Sequence, residues 1–172
     1  MAHDVVLVNG LPGSGKSTLA PRLAAALGAA CLVKDRIKES LAEAVVTEVP
    51  GLGAVAMETV WALAAAVPGM VVVDSWWFKP RDLDHAQQGI TRSGATATVE
   101  VWCDVPAETA RSRFIARKRP SVYADAERLA TDWSTWAAVA EPLAIGPVVR
   151  VDTSRPVDMP ELVTAVRAAL WA

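Results

Sequence analysis

The stretch Gly10-Leu11-Pro12-Gly13-Ser14-Gly15-Lys16-Ser17 lies between a run of branched apolar residues, Asp4 to Asn9, and an alanine- and leucine-rich segment, Lys16 to Leu27. It matches the pattern GxxxxGK[ST] at every defined position. The flanking segments predict a β-strand before the loop and an α-helix after it. This strand-loop-helix context is the one in which the pattern binds phosphate groups.

The chemistry of such a loop follows from its residue types. Glycines let successive backbone N–H groups turn toward a phosphate, and the helix N-terminus adds partial positive charge. Lys16 then reaches phosphate oxygens, and the Ser17 hydroxyl can hold Mg²⁺. The alternative is a glycine-rich turn that binds nothing, which the full match makes the weaker reading. The predicted nucleotide-binding residues are Gly10, Pro12, Gly13, Ser14, Gly15, Lys16, Ser17 and Thr18.

Strands and helices alternate along the rest of the chain. Four further strands are predicted at Ala30–Val33, Met70–Val73, Thr96–Trp102 and Val148–Val151. Further helices are predicted at Arg36–Val45, Val55–Val67, Arg81–Ser93, Ala107–Lys118, Ala124–Glu141 and from Pro160 to Leu170. Repeated βαβ units have right-handed crossovers, so the pattern predicts an α/β fold: a five-stranded parallel sheet with helices on both faces.

Composition limits the class of protein. With 172 residues, 52% of them hydrophobic, the chain is long enough for one substantial core, and we expect a single domain over 1–172. A net charge of −2 argues against a surface that neutralises a nucleic-acid duplex. Cys31 and Cys103 lie in apolar runs and are expected to be reduced and buried. The N-terminal residues resemble neither a signal peptide nor a membrane span, so we expect a cytoplasmic protein without a membrane partner.

Asp74 ends the apolar strand predicted at Met70–Val73. In nucleotide-binding sheets, a carboxylate at the end of such a strand orients Mg²⁺ directly or through water. The alternative is an ordinary turn at the end of a strand. With Ser17, Asp74 forms the predicted metal site.

The chain resembles the small P-loop kinases related to adenylate kinase, especially the group that contains the kinase domain of polynucleotide kinase and related small-molecule kinases. The resemblance covers nearly the whole chain. It rests on Gly10 to Thr18, Lys34-Asp35-Arg36-Ile37-Lys38, Asp104-Val105-Pro106 and the arginines of the following helix. It implies a three-layer P-loop NTPase fold of the AAA-type ATP-binding kind, ATP and Mg²⁺ as cofactors, and phosphoryl transfer catalysed in part by Lys16.

The resemblance also implies that Asp35 accepts the proton of the attacking hydroxyl. Its predicted position, at the carboxyl end of a parallel strand, is where such sheets bind ligands. The alternative is that Asp35 caps the helix Arg36–Val45. Asp35 and Asp74 could also exchange roles, and the sequence leaves that choice open. Lys38, three residues further, is expected to contact an anionic group of the acceptor or to be solvated.

Basic residues crowd the helix after Asp104. The resemblance implies a small helical lid, at about residues 111–128, that closes over ATP. Arg113 and Arg117 are spaced i,i+4 and are expected to project together. In the resembled family such arginines stabilise the transferring phosphoryl group, and one packs on adenine. The alternative is a solvated basic face. The resemblance also implies that Asp152, in the turn after the last strand, lies beside the adenine, although ordinary turn chemistry would explain this segment equally well. The basic cluster comprises Arg111, Arg113, Arg117, Lys118 and Arg119.

The acceptor is the least determined part of the prediction. Trp76 and Trp77 follow Asp74, where flat aromatic faces could stack on a substrate, while one of them could instead anchor the loop. We expect a small-molecule acceptor with an alcohol group: a sugar, nucleoside, antibiotic or related metabolite. A 5′-hydroxyl polynucleotide kinase is less favoured because of the low net charge. A non-catalytic ATP-binding regulatory module is the third hypothesis.

Overall fold

A computed structural model describes residues 3–118, 120 and 123–171. Its five strands all run parallel, in the order β2-β3-β1-β4-β5. The predicted five-stranded α/β fold is therefore confirmed. The strands are β1 (Asp4–Asn9), β2 (Ala30–Val33), β3 (Val71–Asp74), β4 (Ala97–Asp104) and β5 (Val148–Asp152). The helices in the described residues are α1 (Lys16–Leu27), α2 (Lys34–Val45), α3 (Leu52–Ala66), α4 (Lys79–Ser93), α5 (Ala107–Ala116), α6 (Asp125–Thr131), α7 (Trp133–Val139) and α8 (Met159–Leu170).

Alternate residues of the central strand β1 face opposite sides of the sheet. Val6 and Val8 pack with α1 and α8 on one face, whereas Val5 and Leu7 pack with α3 and α4 on the other. All four are at most 1% exposed. Because both faces are covered, β1 reads as a continuous apolar run rather than as an alternating one.

A third apolar cluster lies beyond the carboxyl ends of the strands. Leu11, from the phosphate-binding loop, packs there with Phe114 of α5 and with Trp133 and Trp136 of α7. The rings of Phe114 and Trp133 have centroids 5.7 Å apart. This cluster holds α5 and α7 against the loop, with Trp133 and Trp136 as core residues.

Three helices begin two or three residues earlier than predicted. Helix α4 begins at Lys79 because Pro80 fits the first turn of a helix and because Asp82 Oδ2 accepts a hydrogen bond from Phe78 N at 2.8 Å. Helix α3 begins at Leu52, directly after the left-handed Gly51. Helix α2 begins at Lys34, so its N-cap is Val33 and Asp35 lies inside the first turn. The alternative that Asp35 caps α2 is therefore wrong.

The predicted helix Ala124–Glu141 is two helices. Backbone hydrogen bonds continue through the junction, from Asp132 N to Arg128 O and from Trp136 N to Asp132 O, both at 2.9 Å. The break is thus a bend at Asp132, whose carboxylate accepts hydrogen bonds from Thr131 and Arg128. Helix α7 ends at Val139 because the approach of Pro142 disfavours helical backbone at the preceding residue.

Helix α5 also ends early. Arg117 has an extended backbone, with φ −76° and ψ 141°, so the helix stops at Ala116 rather than at Lys118. Its guanidinium lies 4.0 Å from the centroid of the Phe114 ring, and its Nε is 3.3 Å from Asp125 Oδ2. These contacts, made outside the helix, replace the lost helical turn.

None of the helices in the described ranges combines the length and apolar character needed to cross a bilayer.

Candidate active site

The strand order brings the phosphate-binding loop and Asp74 together. Strand β3 lies next to β1, with Asp74 in register with Val8, and the loop begins directly after β1. The Ser17 side chain forms a hydrogen bond with the Asp74 carboxylate. A hydroxyl and a carboxylate at one point suit Mg²⁺, which proteins usually hold through one or two carboxylates together with phosphate oxygens. The residues predicted to bind metal therefore fit the ion.

Lys16 is folded back into its own loop. Its Nζ donates hydrogen bonds to Gly10 O at 2.8 Å and to Leu11 O at 2.9 Å. Burial lowers the pKa of Lys16, and the nearby Asp74 charge opposes that shift. Burial raises the pKa of Asp74, and the charge of Lys16 opposes it in turn. A bound triphosphate would add negative charge beside Lys16 and favour its protonated form.

The loop packs directly on α5. Gly13 has a positive φ of 86°, and a Cβ at this position would collide with the carbonyl oxygen of Ala110. Glycine is therefore required at residue 13 for two reasons, its backbone conformation and the close approach of the helix. Gly15 is the N-cap of α1, with φ 94°.

The turn after β5 lies beside the same loop. Thr153 Oγ1 donates a hydrogen bond to Ser14 O at 2.6 Å, and Thr153 O accepts one from Arg113 Nη1 at 3.1 Å. The Asp152 carboxylate accepts hydrogen bonds from Ser154 and pairs with Arg155 at 2.9 Å. These interactions lower the pKa of Asp152, with the Ser154 hydrogen bonds as the largest cause. Within this turn, Thr153 rather than Asp152 contacts the phosphate-binding loop.

A cavity of about 490 Å³ is lined in part by the loop, through Pro12, Lys16 and Ser17. This size is typical of small-molecule sites. It is lined by residues of the phosphate-binding loop, α2, α3, α4, β3 and the segment from α5 to α7. The predicted site residues that line it are Pro12, Lys16, Ser17, Asp35, Lys38, Asp74, Trp76, Trp77 and Arg117.

Asp35 and Lys38 lie on the wall of this cavity that α2 forms. Tyr123 lies against the same helix, with its hydroxyl 2.9 Å from both Asp35 O and Glu39 Oε1. Lys38 Nζ lies 4.6 Å from the centroid of the Tyr123 ring. Tyr123 therefore ties the segment between α5 and α6 to the helix that carries Asp35.

The two tryptophans after β3 differ in environment. Trp77 is 3% exposed and belongs to the apolar cluster under α3 and α4, so it forms the floor of the cavity. Trp76 is partly exposed, and its ring centroid lies 5.9 Å from Lys16 Nζ. Trp76 also contacts Phe78 and Trp136 at centroid distances of 6.0 Å. Of the pair, Trp76 has the ring closer to the phosphate-binding lysine.

Arg113 and Arg117 diverge instead of projecting together. Arg113 is inside α5 and points to the turn after β5, whereas Arg117 follows the end of the helix and lines the cavity. The prediction that both share one helix face is wrong, because α5 ends before Arg117. Arg111 is half-buried, Lys118 is exposed, and Arg119 lies outside the described residues.

A family model described as an AAA domain matches residues 5–143, which is most of the chain. The chain belongs to this AAA domain family. The match includes the phosphate-binding loop, Asp35, Asp74, Arg113 and Arg117. None of the curated proteins compared is a detectable relative in sequence.

Solved structures of small P-loop kinases share the fold of this AAA domain protein. A provisionally named kinase from Chloroflexus aurantiacus J-10-fl superposes with a TM-score of 0.77 at 22% identity, covering 99% of this chain and 100% of that one. The APS kinase of Mycobacterium tuberculosis, solved with AMPPNP and APS, has a TM-score of 0.63 at 20% identity, covering 99% of each chain. A gluconokinase from Sinorhizobium meliloti 1021 has a TM-score of 0.61 at 20% identity, covering 98% of this chain and 91% of that one. The expected resemblance to small P-loop kinases is confirmed.

A buried network of hydrogen bonds connects the segments that form this site of the AAA domain protein. Asn9 Oδ1 accepts hydrogen bonds from Gly10 N at 2.8 Å and Trp77 N at 3.1 Å. Asn9 Nδ2 donates to Glu100 Oε1 at 2.9 Å. Glu100, only 1% exposed, also accepts from Leu143 N at 3.1 Å and from Ala144 N at 2.9 Å. One amide and one carboxylate thus join the phosphate-binding loop, the Trp77 loop and the segment after α7.

We expect Glu100→Gln to lower the free energy of unfolding by about 1–3 kcal/mol, because one of three satisfied buried donors would face an amide NH₂ instead of an oxygen. Urea titration followed by tryptophan fluorescence measures this change. Glu48→Gln, at an exposed position, is the matched control and should unfold like the parent. An unchanged unfolding midpoint for Glu100→Gln would contradict the network.

The sequence analysis missed several residues of the site. The role of Glu100 could have been inferred, since a charged residue within the apolar run Val99–Cys103 has to find buried partners. Tyr123 is the chain's single tyrosine, but nothing nearby in sequence linked it to Asp35. Lys34 was noted only as part of a motif, and it lines the cavity.

Proposed function

We propose that this chain is an ATP-dependent kinase that transfers the γ-phosphate of ATP to a hydroxyl group of a small molecule. The observation that carries the proposal is that Asp35 lines the same cavity as Lys16, Ser17 and Asp74. A phosphate-binding lysine, an oxygen pair suited to Mg²⁺ and a carboxylate therefore meet in one space. Phosphoryl transfer needs this combination of positioning and charge.

In the proposed reaction the acceptor hydroxyl oxygen attacks the γ-phosphorus, and the bond from that phosphorus to the β,γ-bridging oxygen breaks to release ADP. Asp35 accepts the hydroxyl proton. Lys16 leaves the carbonyl groups of its loop and donates to phosphate oxygens, while Arg117 stabilises charge on the phosphoryl group. Mg²⁺, when held by Ser17 and Asp74, would neutralise charge on the phosphates. The backbone of residues 10–18 cradles the phosphates.

The position of the adenine and the position of the lid are also part of the proposal. Thr153 contacts the loop and Arg113, and neither Arg113 nor the turn at 152–154 lines the cavity, so this turn is the proposed adenine position, with Asp152 and Arg113 as nucleotide-binding residues. The proposed lid, at about residues 111–128, would exclude water when it covers the cavity. Contacts of Arg117 and Tyr123 with the cavity wall support that role.

The proposed acceptor binds between Asp35, Lys38 and the Trp76–Trp77 segment. A cavity of about 490 Å³ with aromatic walls favours a compact metabolite over a nucleic-acid strand. A sugar, a nucleoside and a hydroxylated antibiotic are all of suitable size. The 5′-hydroxyl polynucleotide kinase and the non-catalytic module remain the competing functions.

We expect acceptor-dependent ADP release in a coupled assay with ATP and Mg²⁺ against D-gluconate, shikimate, nucleosides, hydroxylated antibiotics and a 5′-hydroxyl oligonucleotide. Mass spectrometry of the stimulating acceptor should show one added phosphoryl group. Lys79→Met is the control that should keep this activity, since Lys79 pairs with Glu141 outside the cavity. Stimulation by the oligonucleotide alone would favour the polynucleotide kinase, and tight ATP binding with no stimulation would favour the regulatory module.

A further inference from the structure

The lining of the cavity includes three cations that the proposed reaction does not use. Lys34 comes from α2, Arg81 from α4 and Arg128 from α6. Arg81 and Arg128 are exposed, and Lys34 is partly buried. We call this part of the lining, which three separate elements form, the cationic wall.

Of these three cations, Lys34 is the one whose positive charge is least compensated by ion pairs or hydrogen bonds. Across residues 3–118, 120 and 123–171, its ammonium group makes no ion pair or hydrogen bond, in contrast to the Lys79 ammonium, which pairs with Glu141 at 3.0 Å. Burial lowers the pKa of Lys34, and the charges of Arg81 and Arg128 lower it further, while Asp35 and Asp82 oppose the shift. The charges of Arg81 and Arg128 therefore act on Lys34 from two other elements that line the same cavity.

The carboxylates nearby are already engaged. Arg81 donates two hydrogen bonds of 2.7 Å to Asp82, whose Oδ2 also accepts from Phe78 N. Arg128 Nη1 is 3.5 Å from Asp132, which does not line the cavity. An arginine engaged on one edge keeps further N–H donors for a second anion. Positive charge is thus in excess on this wall.

The backbone of α2 adds to that excess. The helix is 12 residues long and begins at Lys34, and no side chain caps its N-terminus among the described residues. The first N–H groups of a helix carry partial positive charge and lack intrahelical acceptors. Lys34 and this helix end thus present donors to the same side of the cavity, close to Asp35.

We propose that Lys34, Arg81 and Arg128 bind an anionic group of the acceptor, so that the substrate is a small alcohol that also carries a carboxylate or a phosphate ester. This inference rests on the proposed function and specifies its substrate class. The anion neutralises the cations, and the aromatic faces of Trp61 and Trp76 cover the carbon skeleton between the anion and the hydroxyl. Charge-assisted hydrogen bonds from lysine and arginine give the selectivity.

The test uses pyridoxal 5′-phosphate and its neutral analogue pyridoxal on the full chain, with ADP and Mg²⁺ present to protect Lys16. Each aldehyde condenses with an unprotonated lysine amine to form an imine and water, and borohydride then reduces the imine. Peptide mass spectrometry reports which lysine is labelled. We expect the ratio of the labelling rates, pyridoxal 5′-phosphate over pyridoxal, to be about tenfold larger at Lys34 than at Lys79, since charge-assisted hydrogen bonds would hold the phosphate beside Lys34.

A control lysine and one variant test whether the preference for the phosphorylated reagent depends on the proposed anion site. Lys79, like Lys34, is the first residue of a helix but lies outside the cavity, so the ratio of its two labelling rates reports the intrinsic reactivity of the reagents, including the internal hemiacetal that pyridoxal forms. Arg128→Gln, at an exposed position, should keep the fold and reduce the preference for the phosphorylated reagent. Protection of Lys34 by inorganic phosphate would assign a phosphate ester, and protection by succinate would assign a carboxylate.

A rate ratio at Lys34 no larger than the ratio at Lys79, or labelling of Lys34 that neither anion slows, would overturn the inference. Labelling does not require phosphoryl transfer, so its outcome is separate from that of the ADP-release assay. A chain that transfers phosphate but shows no anion preference at Lys34 would be a kinase for a neutral alcohol. A chain that shows the preference without transferring phosphate would keep the anion site and lose the proposed function.

Discussion

Lys16→Met should reduce acceptor-dependent ADP release by about 10³-fold while the chain remains folded. Lys16 is the one cation of residues 10–18, and it lies inside the cavity beside Ser17 and Asp74. Removing one preorganised donor to developing charge usually costs about 10²–10³-fold in turnover, and arginine fingers in phosphoryl transfer contribute about 10³–10⁵-fold. The loss of turnover expected for a lysine that contacts the transferring phosphoryl group lies between these two ranges.

The fold should tolerate this change. Methionine has a similar length, and losing the ammonium removes a buried charge whose desolvation is unfavourable. Gly10 O and Leu11 O lose a donor, which limits any gain in stability. Circular dichroism melting gives the stability, and steady-state kinetics at saturating ATP give the turnover. Parent-like turnover in Lys16→Met, compared with Lys79→Met, would exclude the proposed role.

Asp35→Asn should lower kcat by about 10²–10⁴-fold and leave the affinity for ATP unchanged. The amide cannot accept the hydroxyl proton, but it preserves the size of the side chain and the first turn of α2. Isothermal titration with a non-hydrolysable ATP analogue measures the affinity. Asp84→Asn, at an exposed position on α4 outside the cavity, is the control.

The dependence of activity on Mg²⁺ concentration distinguishes the role of Asp35 from the role of Asp74. Asp74 forms a hydrogen bond with Ser17, so Asp74→Asn should raise the Mg²⁺ concentration needed for half-maximal activity. Asp35→Asn should keep the parent's Mg²⁺ requirement at a lower kcat. If the variants behaved in the opposite way, the roles of proton acceptor and metal ligand would be exchanged.

Local patterns were enough to predict the framework of this fold. The apolar runs at β1 and β3 are long and branched, and GxxxxGK[ST] combines turn chemistry with a helix start, so their interpretation depends little on distant residues. The pairing of Asp74 with Ser17 follows once β1 and β3 are neighbours. These features could be predicted because they depend on the carboxyl ends of adjacent strands.

Features that depend on distant contacts could not be predicted in this way. Arg117 leaves the helix for contacts with Phe114 and Asp125, although helix propensity favoured continuation. Lys34 and Arg128 meet only because α2 and α6 line one cavity. Their 94-residue separation leaves no local pattern to find.

The final strand and helix have a consequence for where the family segment ends. The AAA domain match stops at residue 143, but β5 and α8 lie beyond it, and Leu162, Val166 and Leu170 fill the core against α1. A chain shortened to 143 would turn β4 into an unprotected edge strand with open N–H and C=O groups and an uncovered apolar face. Such edges pair with other chains and aggregate. The matched segment is thus a unit of sequence similarity, and we expect the smallest unit that folds to include α8.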